Sequence, residues 1–171
     1  MSNNNIHWYA AKVRYQTEKK IKKYLTEHGI EHYIPFHKVV IERNGRRKSV
    51  ERPVISCFVF VHTDRKTALA LPADMSITMN FIHCLDTGQM LVIPPKQMQD
   101  FMFVLDFSEE TVRLKNTELA YGDRVRVIKG PFAGIEGELV RIKGHKRVVV
   151  RLDGILAVAT TYIPSSFLEK V

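Results

Sequence analysis

The 171-residue sequence predicts an α+β protein built in two parts, an α/β domain followed by a small β-barrel. Two observations carry this. Residues 7–105 alternate strand and helix signals, whereas the C-terminal stretch holds only short strands split by glycines. Between them, Asp106–Glu118 is mostly polar and loses apolar periodicity, which marks a linker. The expected domains are therefore residues 1–105 and 119–171, joined by 106–118.

In chain order, His7–Val13 is a short apolar stretch suited to a strand. Over Gln16–His28 the period changes: Ile21, Tyr24 and Leu25 fall at i, i+3 and i+4, one face of a helix. Glu18 suits the positive end of that helix, and Gly29 is placed to stop it. Ile30–Lys38 and Val39–Arg43 read as extended, with Pro35 interrupting the ladder or marking an edge. Asn44-Gly45 is a hairpin-turn signal, since both residue types tolerate positive φ. Val54–His62 is β-rich, and Asp64 can cap a short helix over Arg65–Leu71. Ile77–Leu85 and Met90–Ile93 are weaker strands. Pro94-Pro95 then opens a helix with Met98, Phe101, Met102 and Leu105 at i, i+3, i+4 and i+7.

The last segment offers strands at Arg124–Lys129, Glu138–Lys143, Lys146–Leu152 and Ile155–Tyr162. Val125 and Val127 alternate with Arg124 and Arg126, and Val148 and Val150 with Arg147 and Arg151, which puts valines on one face and arginines on the other. The alternation favours a stable β state over any helical refolding of this part. The run Gly122-x-x-Val125-x-Val127-x-x-Gly130-Pro131-Phe132-x-Gly134-x-x-Gly137 turns the chain at Gly130-Pro131 and Gly134, and Gly137 lets the next strand approach closely.

That run resembles the KOW motif of NusG-like proteins and some ribosomal proteins. Trp8-Tyr9 opening a strand, a Lys-rich helix, a hairpin, and Arg52-Pro53 leading into Val59-Phe60-Val61 resemble the NusG N-terminal domain. Together the two likenesses span nearly the whole chain in the expected order. They imply an N-terminal α/β sandwich with an antiparallel sheet flanked by helices, and a C-terminal SH3-like barrel. Where most relatives carry Pro-Gly-Tyr, this chain has Ser56-Cys57-Phe58. The aromatic type is kept and the turn chemistry is lost, so the chain looks like a specialised paralogue resembling RfaH or the UpxY regulators of capsular polysaccharide operons.

The resemblance implies a transcription elongation and antitermination factor that suppresses pausing or termination. Its polymerase-binding face, carried over by position, is Ile55, Phe58 and Phe60, with Phe81, Met98 and Phe101 nearby, docking on the clamp helices of bacterial RNA polymerase. Each of these residues alone can equally be core, and Ile55 and Phe58 cannot share a side of a regular strand. A basic group of Lys12, Arg14, Lys19, Lys20 and Lys23, with Tyr15 able to stack on an unpaired base, corresponds to the surface that touches the non-template DNA strand. Its plainer reading is a solvated helix face. Arg43, Arg46, Arg47, Lys48 and Arg52 form a second basic cluster at the hairpin tip, which reaches DNA or polymerase, or only protects an exposed edge, and Arg46 and Arg47 are its nucleic-acid candidates. On the barrel, Phe132, Ile135 and Arg141 are candidates for a partner, implied to be Rho or a small-subunit ribosomal protein, with Phe132 and Ile135 expected outward or at the rim.

Composition limits the alternatives. A hydrophobic fraction of 45% and a charged fraction of 26% are those of a globular protein, and the net charge of +8 favours polyanionic partners. No apolar run is longer than Cys57–Val61, which is far short of the roughly 20 residues a membrane helix needs. Met1–Asn5 is polar and no secretory core follows, so a cytoplasmic monomer without membrane contact is expected. Cys57 and Cys84 read as small buried hydrophobes, the seven histidines show no metal-ligand spacing, and Glu109-Glu110 reads as a solvated acidic patch. No catalytic motif is present, and neither an enzyme nor a cofactor is expected. The alternative is a KOW-containing RNA binder acting on the ribosome or its assembly, using Arg141, Lys143, Lys146 and Arg147 on phosphates.

Overall fold

The structure, a computed structural model, describes residues 5–107, 112–114 and 122–171. Residues 1–4 of the polar start, the Glu109-Glu110 pair and most of the expected linker lie outside the described residues. The chain forms two compact units, Met1–Val92 and Ile93–Val171.

The first unit runs β1 (His7–Val13), α1 (Glu18–Glu27), β2 (Glu31–Tyr33), β3 (Phe36–Arg43), β4 (Arg46–Pro53), β5 (Phe58–Thr63), α2 (Arg65–Met75) and β6 (Met79–Phe81). Its sheet has the order β2-β5-β1-β6, antiparallel throughout, while β3 and β4, among the described residues, pair only with each other. Tyr9 and Ala11 oppose Val61 and Val59 across the β1–β5 ladder, so all four point to one face. They form one core with Ile21 and Leu25 of α1 and Ala68 and Leu71 of α2. The helical stripe read from Ile21 and Leu25 is thus the buried one. Gly29, at φ +64°, follows the helix end as expected.

Three elements differ from expectation. Helix α2 is capped by Asp64, whose carboxylate accepts from the Thr67 N–H at 3.0 Å, but it continues past Leu71 to Met75. It crosses Pro72, and Leu71 and Met75, one turn apart, are both buried. Strand β5 starts only at Phe58, because Cys57 takes a left-handed conformation (φ +64°) that breaks the extended run. Of the Ile77–Leu85 stretch only Met79–Phe81 is strand, and Met90 adds an isolated bridge to His83.

The second unit comprises α3 (Pro95–Phe107), β7 (Val112–Leu114), β8 (Asp123–Val127), β9 (Glu136–Ile142), β10 (His145–Leu152), β11 (Leu156–Tyr162) and, after a 3-10 turn at Ser165–Phe167, β12 (Leu168–Lys170). The strands form one antiparallel sheet, β12-β8-β9-β10-β11-β7, the small barrel. Within the expected linker, Val112–Leu114 pairs with β11. Gly137 permits the close crossing expected of it: a Cβ there would lie 2.3 Å from the Val149 carbonyl oxygen.

Alternation holds on β8, where Val125 and Val127 are buried and Arg124 is exposed. It fails on β10. Val148, Val149, Val150, Arg151 and Leu152 are all buried, because α3 packs against β10 and β11 and covers what would have been the solvent face.

Candidate functional site

At the C-terminal end of β1, Lys12 is exposed and sits between Phe58 of β5 and Asn80 of β6 in the ladder. Arg14 and Tyr15 follow in the loop, Tyr15 with 63% of its surface open to solvent. The Thr17 hydroxyl donates to the Arg14 carbonyl at 2.6 Å and fixes the loop ahead of α1. Glu18, 1% exposed in the first helical turn, accepts the Cys57 N–H at 2.8 Å, and the Cys57 carbonyl accepts the Val13 N–H at 3.0 Å. One turn residue thereby ties the start of α1, the end of β1 and the start of β5.

The cations of α1 are not equivalent. Lys19 pairs with Glu51 of β4 at 3.2 Å, and Lys23 with Glu27 at 3.8 Å. Lys22 lies 5.2 Å from the centre of the Phe36 ring, in cation–π range. Lys20 is exposed and makes no ion pair among the described residues. The surface left open to a polyanion here is therefore Lys12, Arg14, Tyr15 and Lys20, while Lys19 and Lys23 are partly neutralised.

Arg46 and Arg47, adjacent in sequence, point to opposite faces of the β3–β4 ribbon. Its register pairs Arg43 with Arg46, Ile41 with Lys48, Val39 with Val50 and His37 with Arg52 on one face. The other face carries Phe36–Pro53, Lys38–Glu51, Val40–Ser49 and Glu42–Arg47. Arg47 thus stands opposite a carboxylate, and Arg46 opposite another arginine.

The apolar candidates do not form one patch. Phe58 and Phe60 share the face of β5 opposite to the Val59–Val61 core, but Phe81, in register with Ala11, belongs to the core on the other side. Ile55 precedes β5, so strand alternation does not govern it. Ile55, Phe60, Phe81, Met98 and Phe101 are buried, and Phe58 alone of the six is half-exposed. On the Phe58 face, the Trp8 ring stacks on His62 at 4.7 Å, and His62 hydrogen-bonds Glu31.

On the barrel, Arg141 is exposed, but Phe132 and Ile135 are not at the rim: they are 6% and 4% exposed. The Phe132 ring lies 5.2 Å from Phe107 and 6.2 Å from Phe103 of α3, which cover it. The Lys96 ammonium donates to the Gly134 carbonyl at 2.9 Å, and the buried Asp100 carboxylate accepts the Glu136 N–H at 3.1 Å, so α3 is clipped to the turn-rich loop. Arg126 grips Glu136 at 2.8 Å and holds its carboxyl below the ordinary glutamate value. Arg151, read from the sequence as a surface residue, is instead paired with Glu138 at 3.2 Å in the interior.

Sequence reasoning missed Glu18 as a turn-holding group, the left-handed Cys57 and the buried Arg151. The only signal for the first two was the unusual Ser56-Cys57-Phe58. Cys57 and Cys84 are half-buried free thiols rather than core residues. The Thr87 backbone N–H, ahead of that of Asp86, draws the Cys84 thiol below its ordinary value. Among the described residues no three His, Cys, Asp or Glu side chains gather as a metal site, and no helix is long and apolar enough to cross a membrane.

Compared with known proteins, residues 6–102 match the family described as "Transcription termination factor nusG", and residues 122–151 match the KOW motif. No curated protein sequence matches the chain. Among solved structures it is similar to "Crystal Structure of MjSpt4:Spt5 complex conformation B", with 16% identity, 96% of each chain covered and a TM-score of 0.31. Conformation A of the same complex gives 15% identity, 96% and 97% coverage and a TM-score of 0.30.

Proposed function

Because the chain belongs to the NusG family, we propose that it is an elongation and antitermination factor that binds bacterial RNA polymerase through its N-terminal domain and recruits a partner through its KOW barrel. The observation that carries this is the order of the two family matches on one chain, 6–102 and then 122–151. NusG-family domains are non-catalytic, and the reading requires no chemistry of the protein itself.

In this reading residues 1–105 form the polymerase-binding domain and 106–118 the linker. The clamp helices rest on Phe58, with Ile55 and Phe60 shaping the surface beneath it. Phe58 supports this best, being the half-exposed aromatic of the apolar set and the ladder neighbour of Lys12. The non-template strand runs over Lys12, Arg14, Tyr15 and Lys20, cations for phosphates and a ring for a base. Arg141, near the end of β9 away from the Phe132–Ile135 loop, supplies the exposed contact for Rho or a small-subunit ribosomal protein. The left-handed Cys57, a non-glycine residue where the resemblance implies glycine, supports a specialised paralogue of the RfaH or UpxY kind. Binding suppresses pausing only through its greater affinity for the elongating polymerase than for the paused one.

The test is co-elution with bacterial core RNA polymerase, beside a Phe58→Asp variant whose circular dichroism matches the parent. Parent binding that the variant loses supports the reading and its contact face. If neither binds and both instead bind ribosomal RNA with a steep salt dependence, the reading falls and a ribosome-associated role replaces it.

A further inference from the structure

The β3–β4 ribbon divides its charges by face. One face carries Arg43, Arg46, Lys48 and Arg52 and no carboxylate. All four are exposed, and none makes an ion pair among the described residues. On the other face the charges cancel in register, Lys38 opposite Glu51 and Glu42 opposite Arg47. That balanced face is also the one turned to α1, through Lys19–Glu51 and Lys22 over Phe36. The all-cation face therefore points away from the helix into solvent.

Four like charges on one side of a ribbon repel one another, and none of them is paired with a carboxylate among the described residues. An arrangement of this kind is stabilised by a polyanion. The spacing narrows the choice. From Arg52 to Arg46 is six residues, about 20 Å at a strand's rise, which spans roughly six base pairs of a duplex. The face carries a single ring, that of His37 opposite Arg52, with only Val39, Ile41 and Val50 otherwise between the cations, so it offers no series of rings on which successive unpaired bases could stack. A two-stranded ribbon also fits the wide groove of B-form DNA but not the narrow major groove of A-form RNA. We propose that the Arg43–Arg46–Lys48–Arg52 face of the ribbon is a second nucleic-acid site that lies against the phosphate backbone of duplex DNA, separate from the Tyr15 surface proposed for a single strand. The site rests on the reading of this chain as a factor that works on transcribed DNA, and it adds a grip that does not depend on base sequence.

Two double variants with equal change of charge test it in the full chain. Lys48→Gln/Arg52→Gln empties half of the cation face, and Lys38→Gln/Arg47→Gln removes the same charge from the balanced face. Binding of each to a 20-base-pair DNA duplex of mixed sequence is followed by fluorescence anisotropy across a salt series. Each lost phosphate contact lowers the log–log salt slope by about 0.9, so the first pair is expected to lower it by nearly 2 and the second to leave it in place. Equal effects from both pairs would mean bulk charge only and overturn the proposal. So would an unchanged slope in both, or a preference for a matching RNA duplex. If the first pair abolishes co-elution with polymerase but not duplex binding, the face is a protein contact and the proposal is again overturned. Parent protein that co-elutes with polymerase but ignores duplex DNA sinks this site alone, whereas loss of polymerase binding by the parent sinks the reading beneath it.

Discussion

Two hairpins in this molecule are built on the same turn and meet opposite fates. β3 and β4 join through Asn44-Gly45, at φ +53° and +70°, and β9 and β10 join through Lys143-Gly144, at φ +48° and +83°. Both are two-residue loops with positive φ at each central position, the geometry that matches strand twist. The first hairpin is exposed along most of both faces, while the C-terminal half of β10 is buried on both. Local sequence fixes the turn, the register and hence the side-chain pairs. What covers a strand is decided elsewhere in the chain, here by α3 lying over β10 and β11.

The sharpest way to break this comparison is to disturb a charge in each hairpin. Arg151→Met leaves Glu138 without the arginine it meets in the interior, and is expected to destabilise the barrel by about 3 kcal/mol. The loss would be read as faster hydrogen exchange across the β10 amides. Arg52→Met on the ribbon is expected to change stability by less than about 0.5 kcal/mol. Comparable losses in both would mean the ribbon is not energetically separate.

Next in size are Gly144→Ala and Gly45→Ala, which impose the same strain of about 1 kcal/mol on the same turn. In the barrel the whole unit should lose that stability, whereas in the ribbon exchange should quicken only between Phe36 and Pro53. Because Trp8 is the only tryptophan, denaturant unfolding followed by its fluorescence reports the first unit and should not register Gly144→Ala.

Acid should separate the two regions as well. Arg126 keeps the Glu136 carboxyl below its ordinary value, so the stability this contributes is present at neutral pH. It is lost as pH falls below that ordinary value and through the lowered one in the folded state. Glu136→Gln is expected to flatten this part of the barrel's stability profile. Ribbon exchange should be the same in parent and variant across that range. The smallest effect is Lys143→Asn, which suits positive φ better and should gain roughly 0.5 kcal/mol.

The ribbon's charge partition was already implicit in Asn44-Gly45, because a two-residue turn fixes every opposing pair back to Phe36 and Pro53. The helical stripes, the Asp64 cap and the close approach at Gly137 were legible for the same reason: each depends on a few neighbouring residues. Arg151 was not legible. Its alternation with valine is the pattern of a surface residue, and only a helix some fifty positions earlier makes it interior. Phe132 was misjudged likewise, since Phe103 and Phe107 cover a loop that local turn chemistry would leave open. The β7 and β12 segments carry three residues each, too few to show a period. In the candidate site, the identity of the basic residues was readable, but which of them carboxylates neutralise required the fold.

The ribbon is a separate two-stranded sheet that meets the core of the first unit through Phe36 at its base, while its residues from Lys38 to Glu51 lie outside that core. Substitutions on it are therefore filtered by what they touch and hardly by whether the protein still folds. Descendants of this chain can exchange its cations, extend its tip or reverse its charge while keeping the same scaffold. The ribbon is thus the part of this fold where surface contacts can diverge quickly.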